Sequence, residues 1–223
     1  MDRKNRHAAN PPGKSPSGEP TETPSLPAIE KSPYPELPSH LVIAIDGWAQ
    51  SGKNSAGEKV AEFLGGVLVD SGRFYRAITK ACLNSDVDLA DAAAVVAWFQ
   101  RACLDVRLAR EIGGVTEAQV AVNGHWFTKE EFKPIGLQTS LIAGIPEVRA
   151  MVNTALRMCD CYGRVVMLGR DIGGTVFPET PYKFFLDASE KVREQRHRQS
   201  TNQPGAKQRD RYDASRVIYA SKA

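Results

Sequence analysis

The sequence predicts an α/β protein: a mostly parallel β-sheet flanked by helices, with a small antiparallel β insertion. Three observations carry this. Short apolar runs rich in β-branched residues, at 41–45, 67–69 and 165–168, alternate with amphipathic helical segments, as strands buried on both faces and joined by crossover helices do. Between 104 and 130 that texture changes to apolar residues at every second position, broken by Asn123-Gly124, a strong short-range hairpin signal. The chain has 223 residues, 42% hydrophobic and 25% charged, enough for one domain of this kind with its own core.

Taken in order, residues 1–39 stand apart. Pro, Ser, Glu and Lys dominate and apolar residues are sparse, so the segment cannot bury enough surface to offset its ordering entropy and is expected to be a disordered extension. The folded unit is expected over 40–223. It starts with a strand at 41–45. A helix follows with Ala56, Val60, Phe63 and Leu64 on its inner face and Gly65-Gly66 as its stop. A strand at 67–69 turns at Asp70-Ser71-Gly72 into a helix carrying Phe74 and Ile78. A third helix is predicted near 91–103, with Val95, Phe99 and Cys103 facing inward. The antiparallel insertion, about 104–134, is read as separate from the parallel sheet. Pro146 then opens a helix whose buried face carries Val148, Val152, Ala155, Leu156 and Cys159. Strands follow at 165–168 and 183–186, and Ser189 caps a basic helix.

Composition excludes several functions. No apolar run reaches the length of a membrane span. The N-terminus has no apolar secretion-signal core, so a cytoplasmic location and no membrane partner are expected. A net charge of +3 is not the basic bias of a nucleic-acid binder, and no nucleic-acid partner is expected. Cys82, Cys103, Cys159 and Cys161 form no C-x-x-C pair and the four histidines are scattered, so the cysteines read as reduced thiols and no protein-held metal site is expected.

The chemistry concentrates in four stretches. Gly47-Trp48-Ala49-Gln50-Ser51-Gly52-Lys53-Asn54-Ser55 lies between a buried strand and an amphipathic helix, the setting a phosphate-binding loop requires. Backbone N–H groups there point at phosphate oxygens, the helix N-terminus adds partial positive charge, and Lys53 bridges terminal phosphates. Asn54 stands where most such loops carry the hydroxyl that holds magnesium, and Ser55 supplies a hydroxyl one place later. The other stretches are Asp70-Ser71-Gly72-Arg73-Phe74-Tyr75-Arg76, then Gly169-Arg170-Asp171-Ile172-Gly173 with Ser140 and Arg149 upstream, and Arg209 through Arg216. Converging arginines suit phosphate, because the guanidinium fork binds it in two places at once.

These four motifs, in this order from about Leu41 to Arg216, resemble bacterial cytidylate kinase, a family of P-loop nucleoside monophosphate kinases. The resemblance implies a P-loop kinase sheet with a short lid (about 196–209) and ATP-dependent phosphorylation of CMP and dCMP. Magnesium would be held mainly through the nucleotide phosphates, and nucleotides would be the partners. It implies that Lys53, Arg170 and Asp171 are catalytic, and that Gly47 to Ser55 with Arg196 and Arg209 bind the donor. Arg76, Arg170 and Arg216 would bind the acceptor phosphate. Ser140, Arg149 and Asp171 would read the cytosine edge, Asp213 would hold the sugar, and Ser71 would line the same pocket.

The chain departs from that pattern in places. Trp48 replaces a usual proline, Gln50 a usual small residue, and Leu168 an acidic one. Glu130-Glu131-Phe132 occupies the neighbourhood of an expected arginine, the segment between Arg198 and Arg209 is short for a lid, and the sequence ends at Ala223, where the family continues with a strand and a helix. An open sheet edge is therefore expected, and a monomer unless a partner covers that edge. Two alternatives stay open on the residues: a P-loop kinase for another small acceptor, and a nucleotide-binding relative without turnover.

Overall fold

In the computed structural model, which describes residues 36–110, 114–132, 135–201 and 211, β1 (Leu41–Gly47) lies one strand in from an edge of the sheet. It pairs in parallel with β6 (Arg164–Gly169) on one side and β7 (Lys183–Leu186) on the other. Next to β6 lies β2 (Val67–Asp70), again parallel. Alternate residues of these strands feed two cores. One face packs Val42, Ala44, Val67, Val69, Val165 and Met167 against Phe74, Ile78, Val152 and Leu156. The other packs Leu41, Ile45, Leu68, Val166 and Leu168 against Ala61 and Leu64. Burial on both faces explains why these strands read as continuous apolar runs.

Helix α1 (Lys53–Leu64) ends at Gly65, whose left-handed φ of 59° lets its N–H and that of Gly66 return to the last carbonyls. Phe63, predicted on the inner face, is 54% exposed. The helix touches the sheet instead through Gly57, Ala61 and Leu64. A side chain on Gly57 would lie 2.6 Å from Leu168 Cδ2, so the backbone must come close and a small residue takes the place of a large one. Leu168 is accordingly a core residue of that face.

Helix α2 (Ser71–Asn84) is N-capped by Asp70, whose Oδ1 accepts from Gly72 N at 2.9 Å. Helix α3 (Ala92–Phe99) is capped by Asp91 and buries Val95 and Phe99; Cys103 lies beyond its end and is exposed, contrary to its predicted inward position. The hairpin strands β3 (Leu104–Arg110) and β4 (Thr116–Val122) are antiparallel, and β5 (His125–Trp126) pairs back on β4 across Asn123-Gly124, both at positive φ. The expectation that this insertion stands apart from the parallel sheet is corrected. β4 pairs in parallel with β2 through Val67–Thr116 and Leu68–Glu117, giving the order β3-β4-β2-β6-β1-β7. The physical reason is that the β2 edge would otherwise be unpaired. Arg73 of α2 then meets Glu117 at 2.7 Å and ties the hairpin down.

Helices α4 (Gly136–Ala143) and α5 (Pro146–Met158) follow, with Pro146 in the first turn of α5. A 3-10 turn, Cys159–Tyr162, leads into β6. Beyond β6 a π-helical turn, Ile172–Val176, leads to β7 and then to helix α6 (Glu190–Thr201). Among the described residues β7 is the outermost strand on its side, with Phe184 and Phe185 exposed. At the other end of β6, Arg164 donates to the carbonyls of Leu37 and Pro38. No helix among the described residues is long and apolar enough to cross a membrane.

Candidate active site

The ends of β1, β2 and β6 point the same way, and the loops that leave them surround one cavity of about 700 Å³. Such a crevice beyond the carboxyl ends of parallel strands is where α/β sheets place their ligands. From the β1–α1 loop come Ala49, Gln50, Ser51, Gly52, Lys53, Asn54 and Ser55. Ser71 and Arg76 arrive on α2, Ser140 on α4, Arg149 on α5, Arg170 and Asp171 after β6, and Arg196 on α6. The fold thus brings residues separated by up to 147 positions in the sequence, Ala49 to Arg196, to one cleft. Gly47 and Trp48 do not line it. Arg209, Asp213 and Arg216 lie outside the described residues.

The loop is built to receive an anion. Gly52, at φ 102°, precedes α1 with no side-chain cap, so the first N–H groups of the helix face the cavity without an internal partner from a capping side chain. Ser51 Oγ is buried without a hydrogen-bond partner, a cost an incoming oxygen would relieve. Lys53 Nζ donates to the carbonyls of Gly47 and Trp48, both at 2.7 Å. Those are neutral acceptors that a phosphate can outcompete. Gln50 sits at φ 60°, a strained value for a residue with a side chain, and its carbonyl accepts from Arg196 at 3.1 Å.

Across the cavity Asp70 holds Arg76: Oδ2 accepts from the guanidinium at 2.7 Å. Burial alone would raise the Asp70 carboxyl, but Arg76 and Arg73, with hydrogen bonds from Arg76 and Gly72 N, hold it below its ordinary value. Arg76 also lies over the Phe132 ring, 5.4 Å from its centroid. Arg149 forms an ion pair with Asp171 and donates to Ala143 O at 3.3 Å. Burial raises the Asp171 carboxyl, against the pull of Arg149, Thr175 and Arg170. Tyr75, on the same wall, is pushed up to about 12 by burial, with Asp171 adding to the rise and Arg149 opposing it, so it is a neutral phenol.

Sequence reasoning gave no role to four contributors, although Asp70 and Tyr75 lie within one of the four stretches. Asp70, Tyr75 and Thr139 line the cavity beside the expected residues; for Asp70 the helix-cap position was the available signal. Asp46, 2% exposed, joins the two halves of the site: Oδ1 accepts from Ile172 N at 2.8 Å and Oδ2 from Gly173 N at 2.9 Å. Burial raises its carboxyl, the two backbone donors lower it, Asp171 adds to the rise and Lys53 opposes it. Nothing in the string of residues connects Asp46 with positions 126 and 127 residues away.

A mostly parallel sheet with an uncapped glycine loop and lysine after its first strand, facing converging arginines, defines a P-loop phosphotransferase of the nucleotide kinase class. The cytidylate kinase family model matches residues 43–218. A cytidylate kinase of Herpetosiphon aurantiacus is 37% identical over 164 residues, 73% of this chain and 71% of that protein. One from Caldanaerobacter subterraneus is 36% identical over 164 residues, covering 73% and 69%. A bifunctional pantoate ligase/cytidylate kinase of Synechococcus elongatus is 31% identical over 189 residues, 79% of this chain and 36% of that longer protein. The chain belongs to the cytidylate kinase family.

Proposed function

We propose that this chain transfers the terminal phosphoryl group of ATP to CMP and dCMP. The observation that carries the reading is the single cavity in which the phosphate loop faces Arg76, Arg149, Arg170 and Asp171. Phosphoryl transfer between two polyanions is mainly positioning and charge compensation. An acceptor phosphate oxygen forms the new P–O bond while the bond from the terminal phosphorus to its bridging oxygen breaks and ADP leaves. Lys53 would exchange its two carbonyl partners for donor phosphate oxygens. Gln50 to Ser55 would supply N–H and hydroxyl donors, and Arg196 would meet the donor from α6, with Arg209 in the same role. Arg76, Arg170 and Arg216 would hold the acceptor phosphate, and Arg170 the charge that builds during transfer. Ser71 would line the acceptor pocket and Asp213 would hold its sugar.

The Arg149–Asp171 pair offers a donor and an acceptor side by side. Asp171 would accept from the exocyclic amine of cytosine and Arg149 donate to the ring nitrogen or carbonyl, with Ser140 alongside. A base with a carbonyl in place of the amine would face a carboxylate with no proton between them.

The residues suit a magnesium ion carried by phosphates and water. Asn54 and Ser55 offer neutral oxygens, both oxygens of Asp46 are occupied by backbone donors, and Asp171 is paired. No cluster of three acidic, histidine or cysteine ligands occurs among the described residues. When bound, the ion would neutralise phosphate charge. The four cysteines are free, which suits a reducing compartment, and we place the protein in the cytoplasm, as a monomer unless a partner covers the open sheet edge.

The test is an ADP-release assay with ATP and magnesium, offering CMP, dCMP, UMP and AMP in parallel. Turnover with CMP and dCMP at low concentration, and little with UMP or AMP, is expected. Preference for UMP or AMP overturns the acceptor assignment. Folded protein that binds ATP and turns over none of the four overturns the activity.

A further inference from the structure

The tryptophan that stands in the phosphate loop where the family usually has proline is not idle. Arg193 lies over its ring, 5.5 Å from guanidinium carbon to centroid, and Phe185 of β7 meets it edge-on at 6.5 Å. Arg193 is a charged residue only 8% exposed, and its Nε donates to Ala188 O at 2.9 Å, at the junction between β7 and α6. One turn further along α6, Arg196 donates to Gln50 O and sits 3.5 Å from where a Cβ on Gly52 would be. The carbonyl of Trp48 meanwhile accepts from Lys53 Nζ at 2.7 Å and from Ser51 N at 3.3 Å.

We propose that Trp48 is a positioning residue for the donor nucleotide: its ring seats α6 through Arg193 and so sets Arg196 relative to the loop that carries Lys53. Two features make this more than packing. The indole face attracts a guanidinium that burial has taken out of water, where such a contact is strongest. The cations it aligns come from elements 143 residues apart, Lys53 and Arg196, at the same lip of the cavity. The inference rests on the reading of the loop as the ATP site. It predicts an effect confined to the donor, because the contacts of Trp48 with Arg193, Phe185, Lys53 and Ser51 run to the phosphate loop, β7 and α6.

The experiment compares wild type with Trp48→Ala, Trp48→Phe, Arg193→Gln and the double variant Trp48→Ala/Arg193→Gln. Turnover is measured with ATP varied at saturating CMP and then with CMP varied at saturating ATP. Trp48→Ala and Arg193→Gln should each lower kcat/KM for ATP by roughly 3- to 30-fold and leave KM for CMP unchanged. Trp48→Phe, which keeps an aromatic face, should restore most of the loss. The double variant should be no worse than the poorer single, since both cut one contact. Equal losses for ATP and CMP, additive losses, or no rescue by phenylalanine would each overturn the proposal. A second readout does not depend on turnover: Arg193→Gln should change indole emission in the wild-type background and not in the Trp48→Phe background. Absence of that change sinks the link even if the enzyme is active. Its presence in a protein without turnover upholds the link while the proposed activity falls.

Discussion

Replacing Asp46 by asparagine tests whether one buried carboxylate holds the two halves of the site together. The side chain keeps its shape, but its two backbone partners, Ile172 N and Gly173 N at 2.8 and 2.9 Å, are both donors. An amide can accept from one of them; its NH2 group must face the other. One hydrogen bond to a charged group is lost, at about 1.5–3 kcal/mol, and a buried N–H is left unsatisfied, at about 1–3 kcal/mol. Removing a charge that burial already disfavours, as the raised Asp46 carboxyl shows, offsets part of this, so a net loss of about 2–3 kcal/mol is expected. For a chain of this length that corresponds to a fall in Tm of roughly 4–12 °C. The turn that Asp46 anchors directly follows Arg170 and Asp171, so the same variant should lower kcat by about ten- to a hundredfold at a temperature where it remains folded. Thermal melts followed by circular dichroism and the ADP-release assay measure the two effects. A Tm within 1 °C of wild type, or an unchanged kcat in a protein that has lost stability, would refute the reasoning.

Three further outcomes can be checked with the same preparations. Lys53→Ala should abolish measurable transfer and leave the melt nearly unchanged, because the Lys53 hydrogen bonds to Gly47 O and Trp48 O lie within one part-buried loop; full turnover from the folded variant would remove the phosphate-loop assignment. Asp70 lies below its ordinary value of 3.8 when folded, so its contribution is fully present above that pH and is lost as pH falls through the folded value. Urea melts from pH 7 to pH 3 should show the gap between wild type and Asp70→Asn closing on the acid side, and a gap that widens there would contradict it. Gln50→Gly should relieve the strain of φ 60°. With about 1–3 kcal/mol stored there, and part of it returned as the greater unfolded freedom of glycine, a rise in Tm of roughly 1–4 °C is expected; a fall would mean the glutamine side chain makes a compensating contact.

Local signals and short-range patterns were legible in the residues themselves. Two-sided apolar runs marked β1, β2 and β6, Asn123-Gly124 marked its hairpin, Pro146 and Gly65-Gly66 marked helix ends, and Gly47 to Lys53 marked the phosphate loop, because each depends on side chains a few positions apart. The motif set also indicated which residues would meet: Ser71, Arg76, Ser140, Arg149, Arg170, Asp171 and Arg196 share one cavity with the loop.

Tertiary structure alone decided the rest. Periodicity placed Phe63 on the buried face of α1, yet the close approach of Leu168 selects Gly57 and Ala61 and turns the phenylalanine outward. Alternation identified the hairpin as antiparallel but held no information about its outer edge, and β4 joined β2 because a long-range pairing satisfies backbone groups that sequence patterns do not count. Asp46 and Trp48 show the same limit in the site. A carboxylate at a strand end and a tryptophan in a loop are ordinary residues until the fold sets Ile172 and Gly173 against one and Arg193 against the other. The sequence by itself therefore determined the class of fold and the chemistry its loops can offer, since propensity, turn geometry and charge type are local. Only the tertiary structure determined which of those charges touch, because burial and pairing across more than a hundred residues depend on where the whole chain closes.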